Sequence, residues 1–192
     1  MIAGILIATD FQALKAHESH LVPYDVFSTL DVIIEKFKSI SCHPIITILG
    51  EESELICQQT NVDSFQCYAN PDPQANTISS LKMAVNALPN DTIGFILAFA
   101  EYPYVRNDTY QIIYDTAINH PDKIIIPKFH EQRGHPVYLG KPFFEQLIQA
   151  DNRYNVSLMF QAHQPVVKYV NVDDEGILLD NDDHQAPDQT WH

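Results

Sequence analysis

Ile2-Ala3-Gly4-Ile5-Leu6-Ile7-Ala8, closed by Thr9-Asp10, is a short and almost unbroken apolar run. A strand with one wet face alternates apolar and polar residues; this one does not, the pattern of a strand covered on both faces and hence of a central parallel strand. Working outward, Phe27, Leu30, Ile33, Ile34, Phe37 and Ile40 recur at spacings of three and four. That spacing places one apolar stripe on a helix from about Asp25 to Ser41, which ends near Cys42-His43-Pro44. Pro44 to Leu49, followed by Gly50, repeats the strand pattern, and Glu51 to Gln59 reads as a short helix with acids in its first turn.

The rhythm continues. Phe65-Gln66-Cys67-Tyr68 is a weaker strand, Asn70 to Thr77 a turn-rich loop, and Leu81, Ala84, Val85 and Leu88 mark a helix that Ser79 or a neighbour caps. Ile93 to Ala100 is the next buried strand, with a loop after it at Glu101 to Val105. Asn107 or Asp108 opens a helix with Tyr110, Ile113, Tyr114 and Ala117 inside, and His120-Pro121 stops it. Lys123 to Pro127 is a further strand, Pro142 to Gln149 and Asn152 to His163 are helical, and Val166 to Val172 and Gly176 to Leu179 are late strands. Strands alternating with helices imply an α/β fold of three layers, helix on sheet on helix, with a mostly parallel sheet and its ligands outside the strands' carboxyl ends.

The chain has 192 residues, enough for a single domain spanning 1–192 that buries roughly 70% of its unfolded surface. No internal repeat or linker divides it; Gln185 to His192 are expected to be poorly ordered and have no assigned role. Its longest apolar stretches fall far short of the about 20 residues that span a bilayer, and there is no signal-peptide pattern at its start. Three cysteines, Cys42, Cys57 and Cys67, are odd in number and form no C-x-x-C pair, so reduced thiols in a cytoplasmic protein are expected. Eleven Lys and Arg against 25 Asp and Glu give a net charge of −14. Such a field repels nucleic acid and anionic membranes, and it opposes a free triphosphate unless Mg²⁺ or a local cationic cradle offsets it. An acidic surface of this kind also offers itself to a protein partner.

Several residues carry candidate chemistry. Ser79 and Ser80 at a helix start present hydroxyls and N–H groups suited to a base, ribose or anion, although capping uses the same groups. Asp180 and Asp182, two apart, point to one face of an extended segment, as a shared metal requires; the acid-rich run around them equally suits a solvated surface. Gly134-His135-Pro136 sets an imidazole on a tight turn. Tyr102 and Tyr104 suit stacking or plain packing. His17-Glu18-x-His20 offers two imidazoles at i and i+3, a thin basis for a transition-metal site.

Taken in order, Ile2 to Ala8, Asn70-Pro71 with Ser79-Ser80-Leu81, Leu97 to Val105, Arg133-Gly134-His135-Pro136-Val137 and Asp174 to Asp182 resemble the molybdenum-cofactor nucleotidyltransferases, the MobA-like group, and within it the molybdopterin cytidylyltransferases. The resemblance covers nearly the whole length. It implies a Rossmann-like fold of the nucleotide-diphospho-sugar transferase type and transfer of a nucleoside monophosphate from a triphosphate to molybdopterin, with release of pyrophosphate and use of Mg²⁺. It further implies that Glu101 stands where the family has a metal-binding aspartate, with Asp180 and Asp182 completing the site, and that Ser79, Ser80, Gly134 and His135 lie on the nucleotide or substrate side. Glu101 as an ordinary loop residue remains the alternative.

One segment departs from the pattern. After its first strand the family carries L-A-A-G-x-S-x-R-M-G-x-x-K, whereas this chain reads Ile7-Ala8-Thr9-Asp10-Phe11-Gln12-Ala13-Leu14-Lys15-Ala16-His17-Glu18-Ser19. The glycines become Asp10 and Ala16, the arginine Leu14 and the lysine Ser19. Glycines let backbone N–H groups approach phosphate, and cations offset its charge; losing one such donor costs on the order of 10² to 10³ in rate. Lys15 or His17 can supply a cation but not the glycines, and Asn76, where the family has glycine, tolerates a left-handed backbone. The expectation is therefore a nucleotidyltransferase-like protein with no catalytic residue assigned, or a non-catalytic nucleotide- or pterin-binding protein on the same fold.

Overall fold

A computed structural model of the chain describes residues 1–9, 26–50, 65–70, 77–151 and 166–179. The opening apolar run is β1 (Ile2–Ala8), buried along its whole length. β2 (Ile45–Leu49) pairs parallel to one side of β1 and β3 (Gln66–Ala69) parallel to β2; β4 (Gly94–Phe99) pairs parallel on the other side of β1. The sheet continues through β5 (Ile124–Phe129), β6 (Gln132–Arg133), β7 (Val137–Gly140) and β8 (Val167–Asn171), in the order β3-β2-β1-β4-β7-β5-β6 with β8 on β5. β7 runs antiparallel to both β4 and β5, so β5 and β8 regain the direction of β1. The carboxyl ends of β1 to β5 and β8 consequently share one edge of the sheet with the start of β7.

Period-two alternation divides the central strands between two cores. Ile2, Leu6 and Ala8 face one, with Ile45, Leu49, Ile96 and Ala98; Ala3, Ile5 and Ile7 face the other, with Ile46, Ile48, Phe95 and Leu97. Helix α1 (Val26–Ser39) covers the first through Leu30, Ile33, Ile34 and Phe37, alongside α3 (Asn107–Asn119) through Tyr110, Ile113 and Ala117. The Phe37 and Tyr110 rings meet edge to face at 5.6 Å. Helices α2 (Thr77–Asn86) and α4 (Phe144–Gln149) cover the second core through Ile78, Leu81, Ala84, Val85 and Leu147. The expected three layers are present, and no described helix is long and apolar enough to cross a membrane.

β6 and β7 had no counterpart in the sequence reading. They form one returning strand interrupted by a bulge: Lys128 lies opposite Arg133 and Ile125 opposite Tyr138, so three steps on β5 are matched by five on its partner. The extra residues fall at Gly134-His135-Pro136, a short polar break that reads as a turn because no periodicity spans it. Gly176 to Leu179 is likewise not a strand: it begins inside a 3-10 turn at Glu175–Ile177, because the Asp174 carboxylate accepts the Gly176 N–H and curls the chain. Ser79 is not a cap, since α2 already starts at Thr77.

Cys42 is a buried free thiol, but Cys67 is disulfide-bonded, contrary to the expectation of three reduced cysteines. An odd total does not forbid one bridge. The loop from Asp10 to Ser19, the segments expected to be helical at 51–59 and 152–163, the pair His17 and His20, the acids Asp180 and Asp182, and the tail from Gln185 lie outside the described residues.

Candidate ligand and metal site

From β1 the chain proceeds to β2 on one side and returns to β4 on the other, which makes the ends of β1 and β4 the switch point where a crevice opens. The Ala100 N–H donates to the Ile7 carbonyl at 3.0 Å, carrying the ladder one residue past β4, and the Tyr102 N–H closes a turn onto the Phe99 carbonyl at 3.1 Å. Glu101 lies between them at the crevice, half-buried, with its Oε2 shielded from solvent. A carboxylate there suits a hard divalent cation that takes one or two protein oxygens and keeps several waters. Among the described residues no group of three His, Cys, Asp or Glu gathers around one point.

At the end of β3, Asn70 is buried. Its N–H continues the ladder to the Leu49 carbonyl at 2.8 Å, and its Nδ2 donates to the Ser79 Oγ at 3.0 Å and the Ser80 Oγ at 3.1 Å. These bonds pin the first turn of α2 to the sheet edge. Ser80 is sealed inside, its hydroxyl engaged by Asn70, while Ser79 is half-buried. A positioning role thus accounts for Ser80, and Ser79 is the member of the pair that reaches the surface.

The bulge in the returning strand delivers His135 to the same edge. Its ring lies 4.7 Å from the Phe99 ring at 76° and 4.8 Å from the Tyr102 ring at 43°, between the last residue of β4 and the residue after Glu101. Bulges re-aim side chains in this way beside functional sites. Although the residue is half-buried overall, its Nδ1 is shut from solvent. Burial pushes the imidazole down to about 4, so the ring is neutral near pH 7. Gly134 is required by close approach: a Cβ there would collide with the Ile177 carbonyl, which also accepts the His135 N–H at 3.1 Å.

That 3-10 turn is held by Asp174, buried and surrounded by donors. Its Oδ1 accepts the Gly176 N–H at 3.0 Å; its Oδ2 accepts the Arg106 N–H at 2.8 Å and the Thr109 hydroxyl at 2.5 Å. Arg106 precedes α3 and Thr109 lies in its first turn, so Asp174 ties the entry to α3 to a turn 65 to 68 residues away. Lys36 of α1, also buried, donates from Nζ to the Pro103 carbonyl at 2.5 Å and lies 6.0 Å from the Tyr110 ring centroid. Desolvation pulls its ammonium down to about 8, against the opposing pull of Asp174.

The structure therefore gathers Glu101, Gly134 and His135 at one crevice, with Ser79 and Ser80 at another strand end of the same edge. The supporting residues Asp174, Arg106, Thr109 and Lys36 were not singled out by sequence reasoning. Signals existed: Asp174 stands in the Asp174-Glu175-Gly176 motif, and Lys36 sits three residues after Ile33 and four before Ile40, inside the apolar stripe.

A doubly wound sheet with a carboxylate and an aromatic-flanked imidazole at its switch point, and a pinned helix start elsewhere on the same edge, has the architecture of α/β proteins that take ligands at their strands' carboxyl ends. The chain belongs to the MobA-like NTP transferase domain family, whose pattern it matches over residues 19–166. That match begins beyond Asp10, Leu14 and Ala16. The chain is 27% identical over 180 residues to the molybdenum cofactor cytidylyltransferase of Escherichia coli, covering 93% of this chain and 89% of the relative. Its fold is that of the Rv0371c protein of Mycobacterium tuberculosis, with TM-score 0.78 and 19% identity over 93% of this chain and 92% of that one. A manganese complex of Rv0371c superposes with TM-score 0.72 and 19% identity, over 89% and 88% of the two chains.

Proposed function

We propose that the crevice at the ends of β1 and β4 binds a nucleotide with a divalent cation, Mg²⁺ or Mn²⁺, and a pterin-type acceptor, as a molybdopterin cytidylyltransferase does. The carrying observation is the position of Glu101, one residue past the ladder that joins β4 to Ile7 of β1. Glu101 would hold the cation, joined by Asp180 or Asp182; a divalent ion in such a site neutralises phosphate charge as pyrophosphate leaves. In the family reaction an acceptor oxygen attacks the α-phosphorus, and the bond to the bridging oxygen of the departing pyrophosphate breaks. His135, neutral and set against Phe99 and Tyr102, presents a face for a planar heterocycle without adding charge. Asn70 holds the start of α2 in place through both Ser79 and Ser80, and Ser79, the half-buried member of the pair, is the one positioned to meet ligand.

A second reading is favoured by the sequence after β1. Asp10, Leu14, Ala16 and Ser19 replace the glycines and cations that surround a triphosphate in the family, and phosphoryl transfer depends on such positioning and charge. On that reading the protein binds a nucleoside or pterin and transfers nothing.

Calorimetric titration with CTP and GTP, with and without Mg²⁺ or Mn²⁺, and with cytidine and guanosine as uncharged controls, distinguishes the two. Micromolar, metal-dependent triphosphate binding that Glu101→Ala weakens by about tenfold or more supports the transferase. Binding of nucleosides but not triphosphates favours the second reading, and silence toward every ligand overturns both.

A further inference from the structure

Lys128 and Arg133 face each other directly where β5 turns back into β6. Like charges opposite one another destabilise a ladder, and this chain has only 11 Lys and Arg against 25 acids. Local conflicts of this kind concentrate at functional sites. Both cations are drawn to one ring, that of Tyr169 on β8: Lys128 Nζ lies 5.5 Å and Arg133 Cζ 5.0 Å from its centroid. A ring face attracts cations but leaves their charge in place. The Tyr169 hydroxyl oxygen on the same ring is buried, with no partner among the described residues.

Of the two cations, Lys128 is ion-paired to a carboxylate, that of Glu131, whose side chain is 87% exposed against 18% for Lys128. Glu131 reaches back from a two-residue hairpin in which His130 has φ 43° and Glu131 φ 68°. Two left-handed residues match a type I′ turn, where Asn and Gly are preferred and a glutamate is strained. The arrangement lies at the carboxyl ends of β5 and β8, and Arg133 is two residues from His135.

We propose that Lys128 and Arg133, clamped on Tyr169, form an anion subsite for a phosphate monoester group of the ligand, and that Glu131 occupies Lys128 until that group displaces it. Arg133 supplies the planar fork that matches phosphate oxygens in pairs, and Lys128 a point charge. The proposal rests on the reading that ligands bind at this edge, but it requires neither a metal nor a triphosphate. It can therefore fail while CTP binding succeeds, or hold while CTP binding fails.

The test is titration of the full chain with inorganic phosphate and with methyl phosphate, free of divalent metal and at constant ionic strength. Wild type is expected to bind at millimolar concentration, and Arg133→Gln and Lys128→Gln each to weaken binding by about tenfold or more. Glu131→Gln is expected to do the opposite, tightening binding about two- to fivefold, because an exposed competing ion pair is removed. Arg133→Lys, which keeps the charge and loses the fork, should fall between wild type and Arg133→Gln and serves if the glutamine variant does not fold. Absence of binding to wild type, equal affinity in wild type and the folded cation variants, or a Glu131→Gln protein that binds no tighter overturns the proposal.

Discussion

Asp174 receives three donors from two separate segments, the entry to α3 and its own turn, and it faces the buried ammonium of Lys36. Replacing it by Asn puts an amide donor among donors, and stranding them is expected to cost about 2 to 4 kcal/mol in urea unfolding; a loss under about 0.5 kcal/mol would show that water replaces the carboxylate. Lys36 acts in the other direction. Its ammonium titrates near 10.5 unfolded and near 8 folded, so between those values the unfolded chain binds more protons and stability rises with pH. The cost of its charge, at most about 2 kcal/mol once solvent screening is allowed for, is present in full below the folded value and relieved above the unfolded one. Measured as wild type minus Lys36→Met, stability should climb from about pH 8 to 10.5; a flat difference would mean that Lys36 titrates normally. Neither residue was legible as a site member, because a motif shows which residues stand together and not which distant N–H groups they will meet.

The hairpin from β5 through β6 to β7 is the element that brings Gly134 and His135 to the Glu101 loop. Lys123 to Pro127 reads as a strand because Ile124, Ile125 and Ile126 run together, but Gln132-Arg133 is too short and polar to signal one. What could be read was the motif Arg133-Gly134-His135-Pro136-Val137, whose reason is now visible as a bulge that turns His135 against Phe99 and Tyr102. The bulge is locked from outside by the 3-10 turn, through the His135 N–H to the Ile177 carbonyl and the bare Cα of Gly134 against that same carbonyl. Gly134→Ala forces backbone against backbone, so a loss of about 2 to 4 kcal/mol is expected, together with weaker ligand binding because His135 moves. Wild-type stability in this variant, checked by thermal unfolding, would show that the turn can retreat without consequence.

Across the whole molecule, the alternating faces of β1 make the two-core architecture readable: Ile2, Leu6 and Ala8 feed one layer and Ala3, Ile5 and Ile7 the other. Charge is the property least tied to any one element. A formal net charge of −14 works against compactness by self-repulsion, and it works against any phosphate ligand by lowering its local concentration. Cations are instead placed one by one, Lys36 beneath the Glu101 loop and Lys128 with Arg133 at the sheet's carboxyl edge. If long-range repulsion is the larger effect on stability, salt should stabilise this protein, because raising ionic strength toward 0.15 M shortens the screening length to about 8 Å and leaves the buried Asp174 contacts nearly untouched. Thermal unfolding between low salt and physiological salt should then rise by about 2 to 4 °C, the shift that roughly 1 kcal/mol produces in a chain of this size. A falling melting temperature would mean that exposed pairs such as Lys38 with Glu35 and Lys128 with Glu131 outweigh the net charge, and that the acidic surface is arranged to be locally neutralised rather than merely solvated.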